Sequence, residues 1–368
     1  MNIIKAAQRL INIDNFPSYV IFFVTASCNA SCPMCFYAHS VRSKDRTVPE
    51  LTIEEYEKIA LSMKPCSVIG ISGGEPFMRD DLADIVSALA KRAVPLTFDI
   101  PTNGFFTERI IKSAEIMAKA NPDIVIDIQL SLDGPEDLHN TIRGIKEGYK
   151  RLKETYKGLC LLRSRYSNLK IKICSVFSAL NQDHIEGLFI ALQKDFPEID
   201  RFVFSVAHGT TGDKRCEEFS WHRYFEYCGQ IPPIGHRDTH SVFTKALRKV
   251  KNDYLQKILK EGDFYKSCRA GKIAIAIDEI GRVFPCEPLW HPVADLRQNG
   301  YSITSALTSK EMDDFQRMII DKRCNCHWNI PIIINILRQP VTYPRLIIEM
   351  VRVMFGSSHK ELLTKWVP

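Results

Sequence analysis

The stretch Ile124-Val125-Ile126-Asp127-Ile128-Gln129-Leu130-Ser131-Leu132-Asp133 decides the fold. Ile124, Ile126, Ile128, Leu130 and Leu132 alternate with Val125, Asp127, Gln129, Ser131 and Asp133, a period of two that marks an extended strand with one oily and one mostly polar face. In a doubly wound sheet both faces meet helices and read as apolar, whereas a barrel with a functional lumen can turn Asp127, Gln129 and Ser131 inward. Thr97 and Asp99 repeat the pattern in the preceding run. The competing reading is an edge strand with one wet face.

Working outward, β-branched and aromatic runs stand at 19–25, 68–73, 96–102, 170–178 and 201–207, with stretches of helical spacing between them. Thr52-x-x-Glu55 is a capping box, and further helix starts fall near Asp81, Thr107, Glu136 and Asp183. Six alternations of strand and helix predict parallel strands joined by right-handed crossovers, so the fold class is α/β, a partial (βα)6 TIM-like barrel. After about residue 215 the sequence becomes aromatic-rich and helical, then reads as a β-hairpin over 272–284 turning at Glu279-Ile280-Gly281. The expected organisation is an N-terminal helical segment (1–18), a core barrel (19–215), a small α+β unit (216–329) and an amphipathic tail (330–368).

Composition narrows the function. With 368 residues and 45% hydrophobic content the chain can pack more than one core, so disorder is a poor reading. Lys and Arg number 49 against 43 Asp and Glu, and a balance of +6 is too mild to coat nucleic acid. No apolar run approaches the ~20 residues that span a bilayer, and the first residues lack a signal-peptide pattern, which predicts a cytoplasmic protein in a reducing compartment.

Twelve cysteines in such a chain invite attention to spacing. Ser27-Cys28-Asn29-Ala30-Ser31-Cys32-Pro33-Met34-Cys35 follows the first strand and gathers three thiols into one loop, with no fourth cysteine within thirty residues. Soft thiolates suit zinc or iron–sulfur centres; three ligands on a four-iron cubane leave one iron open, while a zinc loop would borrow a remote ligand such as His39. One βα unit later Ser72-Gly73-Gly74-Glu75-Pro76 ends the second strand, where paired glycines permit close backbone approach to a ligand. In a parallel barrel that end is the active-site face.

On these residues the chain resembles the radical SAM superfamily, and the resemblance covers residues ~19–210. It implies a [4Fe–4S] cluster on Cys28, Cys32 and Cys35, S-adenosylmethionine at the open iron, and Gly73, Gly74 and Glu75 at the methionyl amino group. Thr102-Asn103-Gly104, Ser131-Leu132-Asp133-Gly134 and Arg143 also look like this family, which implies Ser131 and Arg143 at the carboxylate or ribose, with Asn103 in the same pocket. The family commonly has an aromatic residue before the third cysteine, where this chain has Met34 followed by Phe36-Tyr37.

Cys268 and Cys286 flank the hairpin and Cys324-Asn325-Cys326 follows, four thiols that suit one closed site. This part resembles the SPASM domain and its shorter twitch form, implying one auxiliary [4Fe–4S] cluster, with Cys326 or His327 completing the sphere; a zinc ribbon is the alternative. An oxidation would need a base beside an electron acceptor. Glu287 directly follows Cys286, the position of the base in sulfatase-maturing members of the resembled family, and its other reading is a surface carboxylate. Asp99, Asp127, Gln129 and His208 are further barrel-mouth candidates.

In 343–355, Arg345, Glu349 and Arg352 share one helical face and apolar residues cover most of the rest. Such a helix docks on the barrel or lies in a membrane interface as a peripheral contact. About 18 residues precede the first strand, short of an added peptide-recognition domain, which favours a small-molecule, sugar or lipid-linked substrate over a peptide. The expected partners are that substrate and an electron donor such as flavodoxin or ferredoxin.

Overall fold

A computed structural model describes residues 16–43, 47–232, 234 and 242–355; most of the N-terminal segment expected at 1–18 lies outside them, as does the end of the tail. Strands β1 (Tyr19–Phe23), β2 (Val68–Ser72), β3 (Thr97–Thr102), β4 (Val125–Ser131), β5 (Leu169–Phe177) and β6 (Arg201–Val206) pair in parallel in sequence order. Each connection carries helix: among them α1 (Ala38–Val41), α2 (Ile53–Leu61), α3 (Leu82–Ala93), α4 (Thr107–Ala120), α5 (Glu136–Arg143), α6 (Gly148–Arg163) and α7 (Ile185–Asp195). The result is the α/β architecture predicted from the alternation, with Ile126, Ile128 and Leu130 fully buried in the main apolar core.

The polar face of the strands turns to a concave interior. The Tyr19 hydroxyl crosses β2 at Gly70, where a Cβ would stand 3.2 Å from the tyrosine ring, and donates to Asp99 on β3 at 3.2 Å. Lys172 on β5 is buried between Asp99 (2.7 Å) and Asp127 (3.4 Å), and Arg201 on β6 closes the cluster on Asp127 at 2.8 Å. Side chains from β1, β3, β4 and β5 can meet like this only if the sheet curls. Asp99 and Asp127 are thus occupied by cations in the interior, and both lie in the first half of their strands, away from the end where the cysteine loop sits.

The hairpin expected over 272–284 extends the same sheet. Strand β7 (Ala274–Ile277) pairs in parallel with β1, on the side opposite β2, then β8 (Arg282–Phe284) and β9 (Ala294–Asp295) follow antiparallel. Helices α8 (Trp221–Gln230) and α9 (Val242–Glu261) precede the hairpin; α10 (Ile303–Leu307), α11 (Lys310–Asp321), α12 (Asn329–Arg338) and α13 (Tyr343–Phe355) follow it. α13 docks on α9 through buried Leu346 and Glu349, with Arg345 on Asp253 at 2.8 Å, and leaves Ile347, Met354 and Phe355 exposed. No helix among the described residues is long and apolar enough to cross a membrane.

The capping box is formed: Thr52 accepts from the Glu55 amide and Glu55 accepts from the Thr52 amide. Glu55 also takes both arms of Arg297 (2.6 and 2.8 Å) and the Tyr301 hydroxyl (3.0 Å), tying α2 to the segment after β9. The Arg297 hydrogen bonds pull the Glu55 carboxyl down to about 2. A depressed carboxylate contributes stability that is present above its unfolded value near 4.5 and lost as pH falls toward 2. Glu55→Gln is therefore expected to lose on the order of 2 kcal/mol at pH 7 in urea melts, the gap from wild type narrowing below pH 4.5.

Candidate active site

The loop after β1 is anchored at both ends of its cysteine run. The Ser31 amide donates to the Arg143 carbonyl at 3.1 Å, and the Gly212 and Asp213 amides donate to the Cys35 and Pro33 carbonyls at 3.0 and 2.9 Å. The Ala30 amide points at the Cys28 sulfur (3.4 Å) and the Arg143 guanidinium at the Cys32 sulfur (3.6 Å). Burial pushes the Cys28 thiol up to about 12 and the Cys35 thiol up to about 11, each raised further by the neighbouring cysteines. Metal-free, these two thiols stay protonated at neutral pH, so loading a metal must release their protons.

Gly73 and Gly74 bring β2 against this loop. The Gly74 and Glu75 amides donate to the Thr25 and Ser27 carbonyls at 2.7 and 2.8 Å. A Cβ on Gly73, whose φ is +132°, would lie 2.3 Å from the Thr25 oxygen, and one on Gly74 2.1 Å from the Ser27 oxygen. The approach is thus open only to glycine. Glu75 is buried and accepts from the Thr102 hydroxyl, the Asn103 amide (2.7 Å each) and the Phe77 amide (3.3 Å). Burial outweighs these bonds and lifts its carboxyl to about 7. Asn103 in turn donates from Nδ2 to Asn29 in the cysteine loop at 2.7 Å.

Arg143 closes α5 and holds Asp133, a fully buried carboxylate beyond the end of β4, at 2.5 Å. Asp133 also accepts from the Val176 amide at 2.9 Å, and the Arg143 Nε has no partner. Ser131 ends β4 on the same side, partly exposed. Sequence reasoning quoted Asp133 but missed it as the counter-ion of Arg143. It also missed Glu50, which accepts from the Thr25 hydroxyl (2.7 Å) and the Ala26 amide (3.1 Å) and so braces the root of the loop. Local sequence carries no signal for Glu50, since its partners lie 24 and 25 residues away.

The second set of cysteines converges from three segments. Gly271 donates to Pro285 at 2.9 Å, which fixes the turn after Cys268 against the residue before Cys286, and the Cys324 amide caps α11 on Ile319 at 3.0 Å. Burial raises the Cys286 and Cys326 thiols, and the charge of the other thiols in the set adds to both shifts. His327 turns away, its Nε2 3.0 Å from the Ala207 carbonyl and its ring against Trp221. Among the described residues no three His, Cys, Asp or Glu side chains crowd closely enough to grip a single ion. A cubane spreads its ligands over different irons and needs no such crowding.

Glu287 is buried rather than on the surface, hydrogen-bonded by Trp328, and burial lifts its carboxyl to about 8. Its charge reaches the Tyr19 hydroxyl in the interior. Trp290, three residues on, packs on Phe23 and Tyr37 at 4.9 Å, while Tyr37 donates to buried Glu279 at the hairpin turn. The two cysteine sets therefore share one aromatic wall. His208 joins it by stacking on Phe36 at 5.0 Å.

The donor set suits iron–sulfur chemistry: three thiols in one loop, a backbone cradle that a Cβ would fill, an unpartnered Arg143 Nε, and four more thiols behind the wall. Residues 22–168 match the Radical SAM superfamily. The AdoMet-dependent heme synthase of Methanosarcina barkeri is 25% identical over 75% of this chain and 78% of its own. The GTP 3′,8-cyclase of Helicobacter pylori is 23% identical over 86% and 94%. Streptococcus suis SuiB has the same fold, with a TM-score of 0.55 at 17% identity over 85% of this chain and 70% of its own. A [4Fe–4S] cluster and S-adenosylmethionine are that family's cofactors, and over residues 22–168, which hold the three-cysteine loop and the paired glycines, this chain is similar to it.

Proposed function

We propose that the chain is a radical SAM enzyme that modifies a small-molecule, sugar or lipid-linked substrate, oxidising it with help from one auxiliary [4Fe–4S] cluster. The observation that carries this is the contact of Gly73-Gly74 with the three-cysteine loop at the C-terminal ends of β1 and β2. Cys28, Cys32 and Cys35 would hold the first cluster; Cys268, Cys286, Cys324 and Cys326 the second. When bound, the cluster supplies one electron to the sulfonium and so a carbon radical that can take hydrogen from substrate.

The chain's own residues do the rest. The Gly73-Gly74 backbone would let the methionyl end approach the loop, Glu75 would take its amino group, and Ser131, Asn103 and Arg143 would hold the carboxylate and ribose. The barrel walls exclude water and hold the substrate's C–H bond in place. In its ionised form Glu287, buried beside Cys286, accepts the proton released on oxidation. An electron donor such as flavodoxin or ferredoxin reduces the cluster, and peripheral membrane contact would use the outer face of α13.

Two curated relatives that span most of both chains are named as a haem synthase and a GTP cyclase, which favours a small molecule. A peptide substrate is the second reading, favoured by a similar fold solved with a bound peptide at a TM-score of 0.51. Anaerobic reconstitution tests the proposal. Wild type is expected to carry about eight irons, two cubanes' worth, and to form 5′-deoxyadenosine under strong reductant. Alanine at Cys28, Cys32 and Cys35 together should remove about four irons and all cofactor cleavage, whereas alanine at the other four cysteines should leave about four irons and cleavage intact. Stoichiometric zinc without cleavage would replace this reading with a non-catalytic metal protein.

A further inference from the structure

Behind the barrel, the groove between α8 and α9 holds a cavity of about 270 Å³, lined by Phe225 and Ile231 and, from α9, by Lys245, Arg248, Asn252 and Gln256. Among the described residues no carboxylate lines it. Lys249 at its rim is paired with Asp253 at 3.1 Å, but among the described residues neither Lys245 nor Arg248 has an ion pair or hydrogen bond. Arg248 is partly buried, and that burial pulls its guanidinium below the ordinary arginine range. Among the described residues Lys251, a nine-tenths-buried neighbour, donates only to the neutral Tyr224 hydroxyl (3.3 Å) and Asn329 (3.4 Å). Asn252 is 8% exposed, and its Oδ1 has no partner.

Arg248, partly buried without a counter-ion, is stabilised when an anion joins it, and Lys245, exposed at the cavity mouth, adds a second positive charge. We propose that this cavity binds a small phosphate monoester, its phosphoryl group held by Lys245 and Arg248 and its organic part lying against Phe225 and Ile231, where the unpartnered Asn252 Oδ1 can accept from a hydroxyl of that part. Two uncompensated cations match a phosphate dianion better than a monocarboxylate, and a guanidinium fork suits phosphate oxygens. The cavity is concave and half apolar, as small-molecule sites are. Phe225 stacks on Trp221 (6.0 Å between centroids) and Trp221 meets His327 (5.2 Å), so one chain of rings joins this site to the segment that carries Cys326.

The test uses the reconstituted full-length protein in phosphate-free buffer, titrated calorimetrically with glycerol 3-phosphate and with acetate at equal ionic strength, and pelleted with phosphatidic-acid vesicles. Saturable binding of glycerol 3-phosphate, stronger than acetate, is expected. Arg248→Gln should weaken it about tenfold or more, the loss of a charge-assisted contact. Gly229→Leu is the second variant. A Cβ at Gly229 meets nothing within 4 Å, so the new side chain can enter the cavity without displacing its neighbours, and it should weaken binding as much without lowering the melting temperature. Equal affinity in wild type and Arg248→Gln, no preference over acetate, or binding to vesicles but not to the soluble ester would overturn the proposal.

Discussion

Gly74→Val is expected to reduce 5′-deoxyadenosine formation more than about a hundredfold while the second cysteine set keeps its iron. A side chain at Gly74 would begin 2.1 Å from the Ser27 carbonyl oxygen, 2.6 Å from its carbon and 3.0 Å from the Cys28 Cβ. Two of those three atoms are backbone and cannot rotate aside. The loop must therefore lift from β2, breaking the Gly74–Thr25 and Glu75–Ser27 hydrogen bonds and displacing Cys28. A shift of about 1 Å in a reacting geometry can cost a hundredfold in rate. Iron analysis should show about four irons instead of about eight, two cubanes reduced to one. Gly187→Ala is the control, because its Cβ would meet the Pro135 ring at an ordinary 3.4 Å within a helix. It should leave activity unchanged and stabilise α7 by ~0.5–1 kcal/mol. Normal cofactor cleavage by Gly74→Val would show that the cradle is not part of the site.

Arg143→Met is expected to destabilise the fold by about 3–5 kcal/mol, measured by urea unfolding of the metal-free protein, because it strands a buried carboxylate. Asp133 is fully buried, and Arg143 is its only cation within ion-pairing distance among the described residues. The Val176 amide alone cannot compensate that charge. The double variant Arg143→Met with Asp133→Asn should recover much of the loss, since a neutral pair avoids the buried charge. It should not recover cluster loading, because the guanidinium beside the Cys32 sulfur is still missing. If instead the double variant is no more stable than the single one, the ion pair is not what holds α5 to the end of β4.

Much of this arrangement was legible in the chain. The alternation from Ile124 to Asp133 specified both the strand and the curl of the sheet, because a half-polar parallel strand needs a protected interior to face. The capping box at Thr52 and Glu55 was equally plain, being a contact between residues three apart. What could not be read was the second use of Glu55, as the carboxylate that holds Arg297 and Tyr301 more than two hundred residues on. Glu287 was readable as a candidate but not as buried, since burial depends on Trp328 and on neighbours that only the folded chain supplies.

Sequence by itself determined the strand–helix order, the three-cysteine loop, the paired glycines one βα unit later and the four cysteines beyond, all of them local spacings or periodicities that a few consecutive residues can encode. Tertiary structure decided that β7 pairs with the far side of β1, that Asp133 belongs to Arg143, that His327 turns to Ala207 instead of joining the thiols, and that α8 and α9 enclose a cavity to which Lys245 and Arg248 turn. Each of these depends on segments distant in the chain meeting in space, and no local pattern records which distant group will stand opposite a given side chain.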